Sequence, residues 1–534
     1  MNKDIINFNN DIYNWDRFCD VLWFAEDIRF WIDTSKIDFN SEDINNLSIK
    51  LNEAFIAINK IELGNVSNID ENRQVGHYWL RTPALCPSIS DRNLIQNEIK
   101  SVSEFASMIL EKKIVTKSGH NFTNVLWIGI GGSALGPQLI VNALKTKEIG
   151  LDFSFIDNID PYLISEVLEE LKQSLPTTLF VVVSKSGGTP EPKICMNQVE
   201  KYVSDLGIDW ASQAVAITML NSDLYSLAIN DNWLKIFNMP DWVGGRTSIT
   251  SSVGLLPLAL LAKDISQFLQ GASLMDQHTR SDQYYKNPAA LLASCWYFTG
   301  DGKGQKDMVV LPYRDRLSVF SKYLQQLVME SLGKSHDRNG KRVSQGISVF
   351  GNKGSTDQHA YIQQLRDGVD NFFAVFIEVL EDSTNLSRIN NESPSDFLSG
   401  FFQGTRSALS QNGRQSITIT FDKLNSFTLG SLIALFERAV SLYAELIDIN
   451  AYNQPGVEAG KTAAKKIIDL QFKVEYLMQD YKSRSILDIQ ESINGSNKEE
   501  LFFILRHMTY SNKVLLSKGE WSSPNTLIFT RISD

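Results

Sequence analysis

"NVLWIGIGGSALGPQLIVNALK", Asn124 to Lys145, passes through three kinds of residue in turn. An apolar run ends in glycines, and the residues after them carry apolar positions at helical spacing. The pattern predicts a strand, a tight turn and a helix. The same grammar continues downstream: "LDFSFIDNID" reads as a strand, "PYLISEVLEELKQ" as a helix, and "TLFVVVSKSGG" as a strand ending in a second glycine-containing turn. Strands that alternate with helices in this way build a parallel sheet with crossover helices. In such a sheet ligands bind at the carboxyl ends of the strands, where helix N-termini present unpaired N–H groups.

Working outward, residues 1–115 read as a mostly helical N-terminal region, with aromatic-rich amphipathic segments such as "WDRFCDVLWFAEDIRFWI". Residues 116–280 form a first α/β domain, and the polar stretch "GASLMDQHTRSDQYYKN" (271–287) reads as a linker. A second alternation then fills 281–534, with C-terminal helical segments. "DMVVLPY" and "SITITF" are its strands, and "SVFSKYLQQLVMESLGK" and "LGSLIALFERAVSLYAELIDI" its helices. The expected fold class is α/β: two tandem three-layer α/β/α domains with mainly parallel sheets and helical extensions at both ends.

The 534 residues exceed one ordinary core, and a composition 43% hydrophobic and 21% charged is that of a globular chain. A net charge of −11 argues against a nucleic-acid binder, which draws its affinity from basic surface. The four cysteines show no CxxC pair, and none of the six histidines has metal-ligand spacing, so neither a disulfide scaffold nor a metal site is expected. The first residues lack the apolar core of a signal peptide, and the apolar stretch "VGLLPLALLA" is too short to span a bilayer. A reduced, cytoplasmic location with no membrane partner is the expectation.

The first turn, "GIGGSALG", matches the dinucleotide fingerprint through Gly129, Gly131 and Ala134, with Asp157 at the end of the next strand. A nicotinamide-dependent dehydrogenase is therefore one reading. The second turn, "VVVSKSGGTPEP", points elsewhere. Ser184, Lys185, Ser186 and Thr189 beside a helix N-terminus suit the terminal oxygens of a phosphate monoester, although a serine-rich surface turn would look the same. A third element, "GGRTSITSSVGLLPLAL", sets Arg246 after two glycines, where it serves either a salt bridge or a developing oxyanion.

Gln326 and Glu330 lie four apart on an apolar helix and share a face. Glu330 fits a general base tuned by partial burial, or equally a solvated glutamate near a helix end. His359 stands just ahead of a helical segment, where a structural role is as natural as a catalytic one. "NQPGVEAGKT" (Asn453–Thr462) resembles a nucleotide P-loop, but only three residues separate Gly456 from Gly460 and no strand leads into it. Pro455 instead starts a helix that projects Gln454 and Lys461 to one side.

Taken together, "GHYWLRTP", "GIGGSALGP", "SKSGGTPE", "GGRTS", "MESLGK", "GSTDQHAYIQQL" and "QPGVEAGK" resemble the glucose-6-phosphate isomerase family, bacterial type, from about residue 70 onward. The resemblance implies that the two domains are of the sugar-isomerase type. It also implies an intertwined homodimer, a sugar phosphate substrate and no cofactor. Glu330 matches the base that moves a proton between C2 and C1 through a cis-enediol. His359 matches a ring-opening histidine that reaches the site from the neighbouring subunit, and Lys461 a lysine that assists at the ring oxygen. Arg246 matches the arginine that stabilises the enediolate. Gly132, Ser133, Ser184, Lys185, Ser186, Thr189, Gly245, Gln326 and Gln454 match substrate-binding positions. Animal members carry Phe and Thr where this phosphate turn has Gly187 and Gly188. Residues before about 65 show no recognisable family block.

Overall fold

In the computed structural model, which describes residues 8–146, 149–381, 389 and 392–532, the opening stretch supplies one of the interior strands of a five-stranded sheet. Its order is Asp152–Ile156, Asn124–Ile128, Thr178–Val183, Ala214–Thr218, Lys235–Asn238, and every pairing is parallel. The two strands that precede the glycine turns, Asn124–Ile128 and Thr178–Val183, are neighbours, with Val125 paired to Leu179. The chain leaves the first toward one edge and returns past it to the other. Their carboxyl ends are therefore a topological switch point, where an open α/β sheet forms its crevice. Thr178–Val183 is buried along its whole length, as a strand covered by helices on both faces must be.

The second sheet has six strands, ordered Leu22–Ala25, Phe30–Lys36, Ser416–Phe421, Phe372–Val379, Asp307–Pro312, Val349–Phe350. Its last four strands run parallel, and Phe30–Lys36 joins them antiparallel. This corrects the helical reading of "WDRFCDVLWFAEDIRFWI". Only Trp15–Val21 is helical, and the rest is a hairpin that turns at Arg29, where φ is +46°. Trp23, Ala25, Phe30 and Ile32 are buried at every second position, a period of two that pairing with Ser416–Phe421 selects.

The expected linker is not one either. Its first half completes the helix Ile265–His278, which crosses Ser426–Leu446 so closely that a Cβ on Gly271 would meet the Phe427 carbonyl oxygen at 1.9 Å. A Cβ on Gly430 would meet that of Phe268 at 2.1 Å. The polarity of the stretch comes from buried charge. Asp276 accepts from Arg81 Nη1 at 3.1 Å and Arg438 Nε at 2.9 Å, while Arg280 Nε donates to Glu62 at 2.9 Å. Arg438 also pairs with Glu62 and Arg81 with Glu437. Three arginines thus face three carboxylates, and the Arg438 guanidinium lies 3.8 Å from the Tyr78 ring centroid. Ser426–Leu446 is long and apolar enough to cross a bilayer, but it is the central core helix and carries Glu437 and Arg438 into this cluster.

Contacts divide the chain into two units, Met1–Asn453 and Gln454–Asp534. The second is built on the helices Pro455–Leu477, Ile486–Ser492 and Lys498–Tyr510. Besides the expected helices it holds a three-stranded antiparallel sheet, and its core includes Val474, Leu501, Leu505 and Phe529.

Candidate active site

Gly131 turns the chain with φ +57° between the strand Asn124–Ile128 and the helix Gly132–Leu144. Gly132 then meets another segment: a Cβ there would lie 2.0 Å from the Gly245 carbonyl oxygen, so only glycine fits. Ser248 Oγ reinforces the contact, donating to Gly245 O at 2.8 Å and Gly132 O at 3.3 Å. Ser133 sits in the first turn of the helix, its carbonyl accepting from Trp127 Nε1 at 2.7 Å. The early block supports the same loop, because Gly76 N donates to Trp242 O at 3.1 Å.

The second glycine turn is joined to that loop by Lys185, whose Nζ donates to Asp241 O at 2.6 Å and Val243 O at 2.8 Å. Burial, and after it the charge of Arg73, lowers this lysine to about 8. Ser184 Oγ accepts from Gly187 N and Ser186 Oγ from Gly188 N, each at 3.2 Å. Thr189 begins the helix Pro190–Asp205 without capping it through its hydroxyl. Asp157, which a dinucleotide reading would assign to a ribose, instead accepts from Gln138 Nε2 at 2.8 Å.

Arg246 is buried in the short helical turn Gly245–Thr250. Its Nη1 donates to Ser331 Oγ at 3.0 Å and to Ala451 O, and its Nη2 to Tyr452 O at 3.3 Å and Asn453 O at 2.8 Å. Its Nε is 3.2 Å from Glu330 Oε2, but that oxygen is buried without an aligned hydrogen-bond donor. The contact is an ion pair, and it leaves the oxygen open to take a proton. Burial lowers the Arg246 pKa and the Glu330 charge opposes the shift; a guanidinium stays protonated under either influence.

Glu330 ends a π-helical turn, Gln325–Glu330, that follows the α-helix Phe320–Leu324. The sequence suggested one regular helix. Wide turns of this kind recur at functional sites, and this one keeps Gln326 and Glu330 roughly on one side. Gln326 Nε2 reaches 3.1 Å from where a Cβ would stand on Gly131, which joins the first turn to the turn that carries Glu330.

Gly132, Ser133, Gly245, Arg246, Gln326 and Glu330 are therefore brought together, and Lys185 ties the second glycine turn to the same loop. His359 is exposed on the turn Thr356–His359. That turn is fixed by Asp357, whose carboxylate accepts from Asn352 N at 2.8 Å, Lys353 N at 3.1 Å and the Tyr361 hydroxyl. Gln454 and Lys461 belong to the second unit. Lys461 lies on the exposed side of the helix Pro455–Leu477, and Cβ atoms on Gly456 or Gly460 would meet nothing within 4 Å among the described residues.

Sequence reasoning passed over Lys334 and the strap 450–453. Lys334 is buried and donates to Glu330 O at 2.7 Å and Asn453 O at 3.2 Å. From the other side Asp70 takes Asn450 Nδ2 at 3.0 Å and pairs with Asn453. A lysine four residues after a glutamate at a helix end was a usable signal, since cationic side chains commonly cap terminal carbonyls.

Comparison with known proteins agrees with this geometry. The family model described as Phosphoglucose isomerase matches residues 33–412 and 408–485. The glucose-6-phosphate isomerase of Prochlorococcus marinus subsp. pastoris is 60% identical over 525 residues, covering 98% of this chain and 100% of the relative. That of strain MIT 9515 has the same identity and coverage. A crystal structure of a glucose-6-phosphate isomerase from Chlamydia trachomatis superposes with a TM-score of 0.78 at 26% identity, over 87% of this chain and 92% of that one. A hypothetical protein from Thermus thermophilus gives 0.68 at 25% identity, over 80% and 96%. The match begins at residue 33, well ahead of the recognisable blocks, because Phe30–Lys36 is a strand of the second sheet. With a shared fold, a nearly full-length match and six of the motif residues gathered beside the switch point, the chain belongs to the phosphoglucose isomerase family.

Proposed function

We propose that Glu330 is the proton-transfer base of the reaction and that the glycine turns hold the substrate's phosphate. The reaction is the reversible aldose–ketose interconversion of glucose-6-phosphate and fructose-6-phosphate, a step of glycolysis and gluconeogenesis. The observation that carries the role of Glu330 is its Oε2: buried, without an aligned donor, and 3.2 Å from Arg246 Nε. Proton transfer between adjacent carbons needs one carboxylate that takes the proton from one and returns it to the other. The enediolate that forms in between needs fixed positive charge, which Arg246 supplies.

In this reading the hydroxyls of Ser184, Ser186 and Thr189 and the N-terminus of Pro190–Asp205 receive the phosphate, with Lys185 holding the turn to the Arg246 loop. Gly132, Ser133, Gly245, Gln326 and Gln454 line the sugar. His359 and Lys461 open the ring, as base and acid at O1 and O5. The exposure of His359 on a pinned turn supports its service to the site of a second copy, in a homodimer. The first domain, 116–280, binds phosphate and the second, 281–534, carries base and ring-opening groups. The enzyme works in the cytoplasm, and the chemistry calls for no cofactor.

Proton NMR of fructose-6-phosphate with the purified protein in D2O, with chelator and without nucleotide, tests this. Glucose-6-phosphate signals should grow with partial deuterium at C2. Conversion with no solvent deuterium would mean that the base returns its proton before it exchanges with water, and binding without conversion would make the chain a sugar-phosphate sensor.

A further inference from the structure

We propose that Lys334 is a positioning residue for the isomerisation, fixing the Glu330 turn and the 451–453 strap in register with Arg246. The inference rests on the reading of Glu330 as the base. The last carbonyls of a helix have no partner within it. Glu330 O is such a group, and Lys334 Nζ takes it at 2.7 Å while also donating to Asn453 O at 3.2 Å. Asn453 O receives Arg246 Nη2 as well, at 2.8 Å. One carbonyl is thus shared by the two cations, and both cations also touch Glu330, Lys334 at its main chain and Arg246 at its carboxylate.

This arrangement has a chemical consequence. Both Nη atoms of Arg246 are engaged by Ser331 and the strap, so the guanidinium is held rigid and acts on the reacting sugar through its charge. A buried lysine beside it adds a second fixed positive charge, with the Glu330 carboxylate in contact and Asp70 and Glu71 further off. Preorganised positive charge next to the reacting carbons favours the enediolate over the neutral sugar. Burial and the Arg246 charge lower Lys334 to about 8, so it is still largely protonated at neutral pH. A surface lysine would contribute neither register nor field; this one is 7% exposed.

The test is Lys334→Met, which fills the same slot without charge or donors, compared with Lys334→Arg. Lys334→Met should lower kcat about 100-fold with KM within about threefold, the pattern of an interaction made in the transition state. Inhibition by a pentonate 5-phosphate, whose carboxylate imitates the enediolate, should weaken in proportion to kcat/KM. Inhibition by inorganic phosphate should not change. Lys334→Arg should recover at least about a tenth of the lost rate. If Lys334→Met gives no folded enzyme, Lys334→Gln is read by the same four measurements. A kcat within about twofold of the parent, or a loss carried by KM and phosphate inhibition together, overturns the proposal. Glu330→Gln separates the two readings. If it stays active the assigned base is wrong, whereas if it is dead while Lys334→Met is fully active, only the role of Lys334 falls.

Discussion

Two buried groups of charges in this molecule use similar side chains to opposite ends. In the cluster of Glu62, Arg81, Asp276, Arg280, Glu437 and Arg438, three arginines meet three acidic side chains that they share, and burial pushes Glu437 up to about 7. Around Glu330 two cations touch one carboxylate, with Asp70 and Glu71 further off, and most of their hydrogen bonds go to neutral carbonyls. Each group leaves one buried carboxylate oxygen without an aligned donor, Asp276 Oδ2 in the first and Glu330 Oε2 in the second. They differ in what holds the cations: carboxylates in the first, which lock helix to helix, and mostly main-chain carbonyls in the second, which leave the positive charge free to act on a ligand. The difference teaches where to look for chemistry among buried ion pairs: at the group whose cations are held by neutral partners.

The largest expected effect would break the comparison outright if it failed. Glu330→Gln should lower kcat by about 10³-fold or more, while calorimetric binding of the sugar phosphate stays within about threefold. For the proposed homodimer with His359 serving the partner's site, co-refolding this variant with His359→Ala should restore about a quarter of wild-type activity, since half of the dimers would be mixed and each mixed dimer would have one intact site. No recovery would place His359 and Glu330 in the same subunit's site.

Next in size is the cluster around Asp276. Arg438→Met leaves Glu62 and Asp276 short of a partner and should cost about 3–5 kcal/mol in urea unfolding, with activity per folded molecule intact. A loss below about 1 kcal/mol, or a fall in kcat at full folding, would erase the distinction between the two groups.

The smallest effect sharpens the comparison. Lys334 is lowered to about 8 by burial, whereas a lysine in the unfolded chain titrates about two units higher. Between those values the folded protein has shed a proton that the unfolded chain still holds. Unfolding then takes up a proton, so this group's contribution to stability rises with pH from about 8 to about 10 and is flat below. The rise should be roughly 3 kcal/mol, read as the difference in urea midpoints between the parent and Lys334→Met across that window. Equal pH slopes in the two proteins would mean that Lys334 is solvated.

Much of the fold was legible because parallel strands buried on both faces write long apolar runs, as Asn124–Ile128 and Thr178–Val183 do. The glycine turns were legible for the same reason that they are needed: backbone approaches backbone there. What the sequence hid were elements decided by distant partners. The hairpin of Leu22–Ala25 and Phe30–Lys36 has an aromatic-rich sequence that suits helix or strand, and only Ser416–Phe421, some 390 residues away in the chain, makes it strand. The polar run at 271–287 looked exposed because charges usually are, yet Asp276 is fully buried among arginines. At the site, Arg246, Gln326 and Glu330 could be named from motif and spacing. Lys334 stood inside a quoted block and drew no notice, because its importance lies in which carbonyls it faces, and carbonyls leave no trace in a sequence.

The contact between Gly132 and the Gly245 carbonyl has a mechanical meaning as well. Two loops that touch without side chains between them have no soft layer to absorb a displacement, and Lys185 adds a second tie from the second glycine turn to the same loop. A displacement of the second glycine turn, such as the proposed phosphate binding would bring, is passed directly to the Arg246 loop. On that reading the handle of the substrate is geared to the machinery proposed to act at the far end of the sugar.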